Sequence, residues 1–158
     1  MNSPNSYEVI IIGAGSVGTP TALFLAEAGL KVLVIDRNPS SGQGSNKRAI
    51  GGLRATHSDP AKIRLSLRSL DIISSWKEKY GDDLEWYKGG YCFVAYRQEE
   101  EKTLQEVLPL QKRLGLNIDW LEAQELRRLL PDLNPRELRG GTLSPDDGHA
   151  SPLLANEA

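Results

Sequence analysis

The sequence is poor in the residues that most often betray a chemistry by themselves. Among 158 residues there are one cysteine, Cys92, one methionine and two histidines, His57 and His149. A single cysteine closes no internal disulfide, which agrees with a reducing compartment, and the chain reads as cytoplasmic. Nucleophile, base and acid fall into no familiar catalytic pattern, and no residue is assigned to a metal. Formal net charge is -2, without the basic stripe that phosphate neutralisation requires, so nucleic acid is not expected as a partner. No apolar run approaches the roughly 20 residues that span a bilayer, and Met-Asn-Ser-Pro-Asn-Ser at the start lacks the charged and apolar regions of a signal peptide. Internal repeats, low-complexity tracts and coiled-coil heptads are absent. What is left, 39% hydrophobic and 25% charged residues, is the composition of a soluble globular chain with enough length for one domain and its core.

What the sequence does hold lies between Val9 and Asp36. Val-Ile-Ile-Ile reads as a strand, Gly13-Ala-Gly15-Ser-Val-Gly18 as a glycine turn, the pattern up to Gly29 as a helix, and Lys31-Val-Leu-Val-Ile-Asp36 as a second strand. Gly13 lets the chain turn out of the strand, Gly15 lets a pyrophosphate approach the backbone, and Gly18 lets helix and strand pack closely. Phosphates then meet unpaired N–H groups at the helix N-terminus, where the macrodipole favours negative charge. Asp36 is placed to accept hydrogen bonds from ribose hydroxyls and to repel a 2′-phosphate, which points to FAD or NAD(H) rather than NADP(H). Pro20 lacks an N–H, but near the first turn that donor has no helical partner anyway.

From Arg37 to Thr56 periodicity disappears into small and polar residues. This loop carries Lys47, Arg48 and a Gly51-Gly52 pair that permits close approach of backbone to something flat, and it reads as the second wall of the cofactor site. Asp59-Pro60 marks a helix start and Gly81 its stop, with Ile63, Leu67, Leu70, Ile73 and Trp76 forming an apolar stripe expected to pack on the cofactor domain. Glu85–Gly90 and Tyr91–Tyr96 read as strands joined around Gly89-Gly90. Gln98–Leu114 reads as a helix that Pro109 kinks or shortens and Gly115 ends. Asn117–Leu121 and Leu138–Leu143 read as strands, and Ala123–Leu130 as a short helix. After a turn over Ser144–Gly148, Ser151-Pro152 opens a further helix, so the chain is expected to stop inside an element.

Gly13-x-Gly15-x-x-Gly18 with Ala22 and Gly29, then Asp36-Arg37, then Ser45-Asn-Lys-Arg48-Ala-Ile-Gly-Gly-Leu-Arg54, together resemble the FAD-dependent amine and amino-acid oxidoreductases of the D-amino-acid oxidase superfamily, most of all its glycine oxidase, sarcosine oxidase and proline dehydrogenase branch. Gly140-Gly141 and Asp147-Gly148-x-x-x-Pro152 are similar to that family's return from substrate domain to FAD domain. The resemblance implies an α/β fold: a Rossmann-type FAD-binding βαβ unit over 1–82, part of an α+β substrate domain over 83–144, and a cut-off return to the FAD domain over 145–158. Carried over, Gly13, Ala14, Gly15, Ser16, Val17 and Gly18 would hold the pyrophosphate, with Asp36 and Arg37 on the adenosine side. Ser45, Asn46, Lys47 and Arg48 would lie against the flavin end, with Gly51 and Gly52 close to the ring and Arg54 nearby. The implied reaction moves a hydride from the carbon beside an amine nitrogen to the flavin, whose electrons then pass to oxygen or a separate acceptor. The implied partners are a small amine or amino-acid substrate, that electron acceptor, and other subunits.

Enzymes of this family are more than twice as long, so the chain reads as an N-terminal portion. His57, His149 and Cys92 are each lone residues and are not assigned to a covalent flavin tether. A non-catalytic dinucleotide-binding module or subunit that needs a partner chain is the alternative. An NAD-dependent dehydrogenase is disfavoured, because a single βαβ unit gives way early to a loop and a second region.

Overall fold

The computed structural model describes residues 6–158. In chain order the elements are β1 (Val9–Ile12), α1 (Gly18–Glu27), β2 (Val32–Ile35), a one-turn 3-10 helix at Asn46–Arg48, β3 (Gly52–Leu53), α2 (Pro60–Tyr80), β4 (Tyr91–Ala95), α3 (Gln98–Arg113), β5 (Asp119–Glu122), α4 (Ala123–Leu129), β6 (Gly140–Ser144), β7 (Gly148–His149) and α5 (Leu154–Glu157). They group into two compact units. Unit one takes the chain up to Gly51, then Asp82–Glu85 and Ala150–Ala158; unit two takes Gly52–Gly81 and Trp86–His149.

Unit one is built on β1 and β2, paired in parallel with Val9 opposite Val32 and Ile12 opposite Ile35. The alternation of β1 sends Val9 and Ile11 toward α1 and leaves Ile10 and Ile12 outside. α5 begins two residues later than Ser151-Pro152 suggests, and Ser151 still serves its first turn: its carbonyl accepts from Ala155 N–H at 3.0 Å and its hydroxyl from Leu154 N–H at 3.4 Å.

Unit two holds a three-stranded antiparallel sheet in the order β4-β6-β5, with Phe93 opposite Thr142 and Thr142 opposite Trp120. β3 and β7 form a short antiparallel pair. Its core gathers Ala55, Leu70, Leu116 and Ile118, with Leu53, Leu67, Trp86 and Leu108 against them. Those contacts draw α2 into unit two, although the sequence alone suggests that its stripe packs on the glycine-turn domain. α2 starts and stops as its caps dictate: the Asp59 carboxylate accepts from Lys62 N–H, and Gly81 adopts φ 92° while donating to Lys77.

One local expectation fails. Glu85–Gly90 is not a strand: Glu85 at φ 54° and Gly90 at φ 76° break the extended backbone, and only Tyr87 makes a bridge, to His149. α3 runs past Pro109 to Arg113, one residue short of the expected end. Pro109 is exposed, so water can satisfy the carbonyl that loses its helical partner there.

Candidate cofactor site

Gly13 has φ 111° and donates to the Ile35 carbonyl at 2.8 Å, so the chain leaves β1 sharply while the parallel pairing is carried one residue further. A side chain at Gly18 would stand 1.8 Å from the Gly13 carbonyl oxygen and 3.3 Å from Ile11 Cγ2; its absence lets α1 lie directly on β1. Gly15 is different, because nothing lies within 4 Å of the place where its Cβ would be. That is open room in front of the turn.

The start of α1 carries no protein anion. Val17 gives no side-chain cap, and no Asp or Glu falls in the first turn. Among the described residues, no acceptor is bonded to the backbone N–H of Gly15, Ser16, Val17 or Gly18. Four unpaired donors, an unopposed helix dipole and open space beside Gly15 form an anion cradle with the chemistry a pyrophosphate needs.

Asp36 lies at the end of β2. Oδ2 accepts from Ala14 N–H at 2.8 Å, and Oδ1 accepts from the N–H of Asn38 at 2.7 Å and from Asn38 Nδ2 at 2.9 Å. The Asn38 N–H first, then that of Ala14, hold this carboxyl below the ordinary carboxylate range, so it remains an ionised acceptor. Ala14 therefore spends its own N–H on Asp36 and not on the cradle. Arg37 is exposed beside it.

The second loop is tied to the turn. Gly42, at φ 68°, donates its N–H to the Ala14 carbonyl at 2.7 Å. Asn46 Nδ2 donates to the Pro152 carbonyl at 2.6 Å and to Asn156 Oδ1 at 3.4 Å, and Asn156 Nδ2 donates to the Ala14 carbonyl at 3.1 Å. Asn46 thus spends its amide inside unit one. Ser45, Lys47 and Arg48 are exposed, and no carboxylate pairs with either cation among the described residues. Gly51, at φ 79°, has its Cβ position 2.2 Å from the Ala150 carbonyl oxygen, and the two residues also bond through Ala150 N–H. Gly52 opens β3 in unit two. Gly42, Asn38 and Asn156 are members of this constellation that sequence reasoning missed; a glycine-rich loop hinted at the first, and nothing local signals the last.

In unit two, the Arg54 guanidinium lies 5.4 Å from the Tyr91 ring centroid and 5.0 Å from that of Phe93, and Nη1 donates to the Thr56 carbonyl at 2.9 Å. No carboxylate pairs with it among the described residues. Asp147, fully buried, accepts from Ala55 N–H at 3.0 Å and Thr56 Oγ1 at 2.7 Å, which fixes the segment that carries Arg54. Burial pushes the Cys92 thiol up, away from reactivity. His57 lends its carbonyl to Gln111, and the His149 ring lies against Tyr87. No group of three or more metal-ligating side chains occurs among the described residues, and no helix there is long and apolar enough to cross a membrane.

The model of the DAO family of FAD dependent oxidoreductases matches residues 8–158. The chain belongs to this family. Similar family proteins include the FAD-dependent oxidoreductase domain-containing protein 1 homolog of Drosophila melanogaster, 30% identical over 92% of this chain and 29% of that protein. Monomeric sarcosine oxidase of Streptomyces avermitilis is 29% identical over 94% of this chain and 40% of its own length. Among solved structures, the L-proline dehydrogenase of P. horikoshii superposes with a TM-score of 0.89 at 31% identity, over 98% of this chain and 41% of that one. The chain thus spans well under half the length of these relatives. FAD is the family's cofactor, and the cradle at Gly15–Gly18 together with an ionised Asp36 fits its two phosphates and ribose.

Proposed function

We propose that this chain is the FAD-holding portion of an enzyme that oxidises the C–N bond of a small amine or amino acid. The observation that carries this reading is the set of four unpaired backbone N–H groups at Gly15–Gly18, with open room beside Gly15, in a chain of the FAD-dependent family. Held there, FAD would supply the hydride acceptor for the carbon next to the substrate nitrogen, with oxygen or a separate acceptor as the final oxidant.

The chain's residues divide the remaining work. Gly15–Gly18 and the Ser16 hydroxyl hold the pyrophosphate, and Gly13 and Ala14 set the turn. Asp36 accepts from the ribose, with Arg37 beside the adenine. Ser45, Asn46, Lys47 and Arg48 belong to the flavin end with Gly51 and Gly52, where two unpaired cations offset the negative charge of the cofactor. The FAD side comprises residues 1–82 and 145–158 and the substrate side 83–144, a division by function in which α2 counts with the FAD side although it packs within unit two. Arg54 supports an amino acid over a plain amine: a half-buried guanidinium stacked on aromatic rings, with no anionic partner among the described residues, suits a substrate carboxylate. A separate electron acceptor or further subunits complete the partners.

The test is made on the natural polypeptide that carries this sequence. Purified protein shows the visible absorption of flavin, and proline, sarcosine or glycine bleaches it anaerobically while amines lacking the carboxylate do so far less. Gly15→Val fills the open room and removes the flavin. A Gly15→Val protein that keeps its full flavin content refutes the site, and flavin that no amine or amino acid reduces refutes the reaction.

A further inference from the structure

The Ala14 carbonyl is gripped from two directions, by Gly42 N–H at 2.7 Å and by Asn156 Nδ2 at 3.1 Å. In a trans peptide the carbonyl and the following N–H point to opposite sides. Fixing the oxygen of Ala14 therefore fixes the direction of the Gly15 N–H, one of the four unpaired donors of the cradle. The grip from Gly42 is backbone, inherent in the loop. The grip from Asn156 is a side chain, only 6% exposed, arriving from 142 residues along the chain.

Asn156 is in turn held by Asn46, whose Nδ2 reaches both Asn156 Oδ1 at 3.4 Å and the Pro152 carbonyl at 2.6 Å. The relay has a carbonyl at each end, Pro152 and Ala14, so both amides must turn an N–H outward. That leaves the Asn156 oxygen facing Asn46, and one orientation satisfies every partner. Only an amide at 156 both donates to Ala14 and accepts from Asn46; a carboxylate there would set an oxygen against the Ala14 carbonyl.

We propose that Asn156, seated by Asn46, is a positioning residue for the FAD pyrophosphate: it sets the Ala14–Gly15 peptide so that the Gly15 N–H is presented to the phosphate before the cofactor arrives. This rests on the reading that the glycine turn holds that pyrophosphate. A donor preset in this way spares the cost of ordering the loop on binding.

The experiment uses the natural polypeptide stripped of FAD, with Asn156→Asp, Asn156→Leu, Asn46→Ala and the Asn46→Ala/Asn156→Leu double variant. Dissociation constants are measured for FAD, for ADP, which keeps the pyrophosphate and adenosine, and for riboflavin, which has neither. FAD and ADP weaken by the same factor, about 10-fold for either Asn156 variant, the loss of one well-aimed hydrogen bond. In the Asn156 single variants, riboflavin binding and the thermal midpoint of the apoprotein hold. The double variant is no worse than Asn156→Leu alone, because the two residues act through one contact.

Unchanged FAD and ADP affinity in the Asn156 variants overturns the proposal, as does an equal loss for riboflavin or a fall in thermal midpoint with affinity intact. Should the Asn156 variants fail to fold, Asn46→Ala decides by ADP, which has no flavin end: a weaker ADP complex supports the relay, and an unchanged one overturns it. Gly15→Val separates the two levels: if it keeps FAD, the assignment of the turn is at fault, and if it loses FAD while the Asn156 variants keep it, only the positioning role falls.

Discussion

Unit two encloses its sheet, whereas unit one leaves one open. β6 lies between two antiparallel partners, and Gly140, Gly141, Thr142 and Ser144 on it are buried. β1 and β2 pair in parallel, yet Ile10, Ile12 and Ile35 are exposed, Ile12 to 86%. Parallel strands normally have both faces covered. The glycine turn nevertheless has its full geometry, because that geometry comes from backbone dihedrals and hydrogen bonds and not from a packed core. Unit two is held by burial; the cofactor cradle of unit one is held by polar ties.

The contrast is broken most strongly by emptying the unit-two core. Leu126→Ala, at a fully buried position, costs about 2–5 kcal/mol in a urea melt. A cost below about 1 kcal/mol would mean that unit two is not the better packed part. Next comes Asp147→Ala, which strips the partners from Ala55 N–H and the Thr56 hydroxyl and costs about 1–3 kcal/mol; Asp147→Asn, which keeps an acceptor, recovers part of it. An unaltered melt for both would remove Asp147 as a structural tie.

A smaller effect compares one carboxylate from each unit. Asp36 is lowered by the N–H groups of Asn38 and then Ala14, and Glu100 by those of Tyr96 and then Arg97. In each case the folded value lies below the unfolded one. The stabilisation is therefore complete above the ordinary carboxylate range and disappears as pH falls through the folded value. Carboxyl carbon shifts followed by NMR should place both midpoints below those of free Asp and Glu. A midpoint at or above the free value for Asp36 would undo its ties to the turn. Smallest of all, Ile12→Ser is expected to move the melt of this 158-residue chain by no more than about 0.5 kcal/mol; a large loss would show that the open face is covered.

The turn was legible in the sequence because every part of it is local: Gly13, Gly15, Gly18 and Asp36 act within one βαβ unit. The same holds for α2, whose Asp59-Pro60 start and Gly81 stop are chemical signals at fixed positions. What could not be read are ties between distant side chains and backbone, such as Asn156 to Ala14 and Asp147 to Ala55 and Thr56, which no periodicity encodes. Trp86 and Tyr87 have strand propensity, but the positive φ at Glu85 and Gly90 overrules it. In the sequence Gly51 signals room for a flat ligand; in the fold its nearest demand comes from the Ala150 carbonyl.

The union of the first and last parts of the chain in unit one has a consequence for synthesis on the ribosome. Gly13–Gly18 leaves the tunnel ahead of Asn156, which follows 142 residues after Ala14, roughly 7–28 s later at about 5–20 residues per second. Over that interval the nascent turn lacks one of the two donors on its Ala14 carbonyl, and a loop of such length is slow to close. The cradle is thus made 142 residues ahead of the side chain that completes its setting.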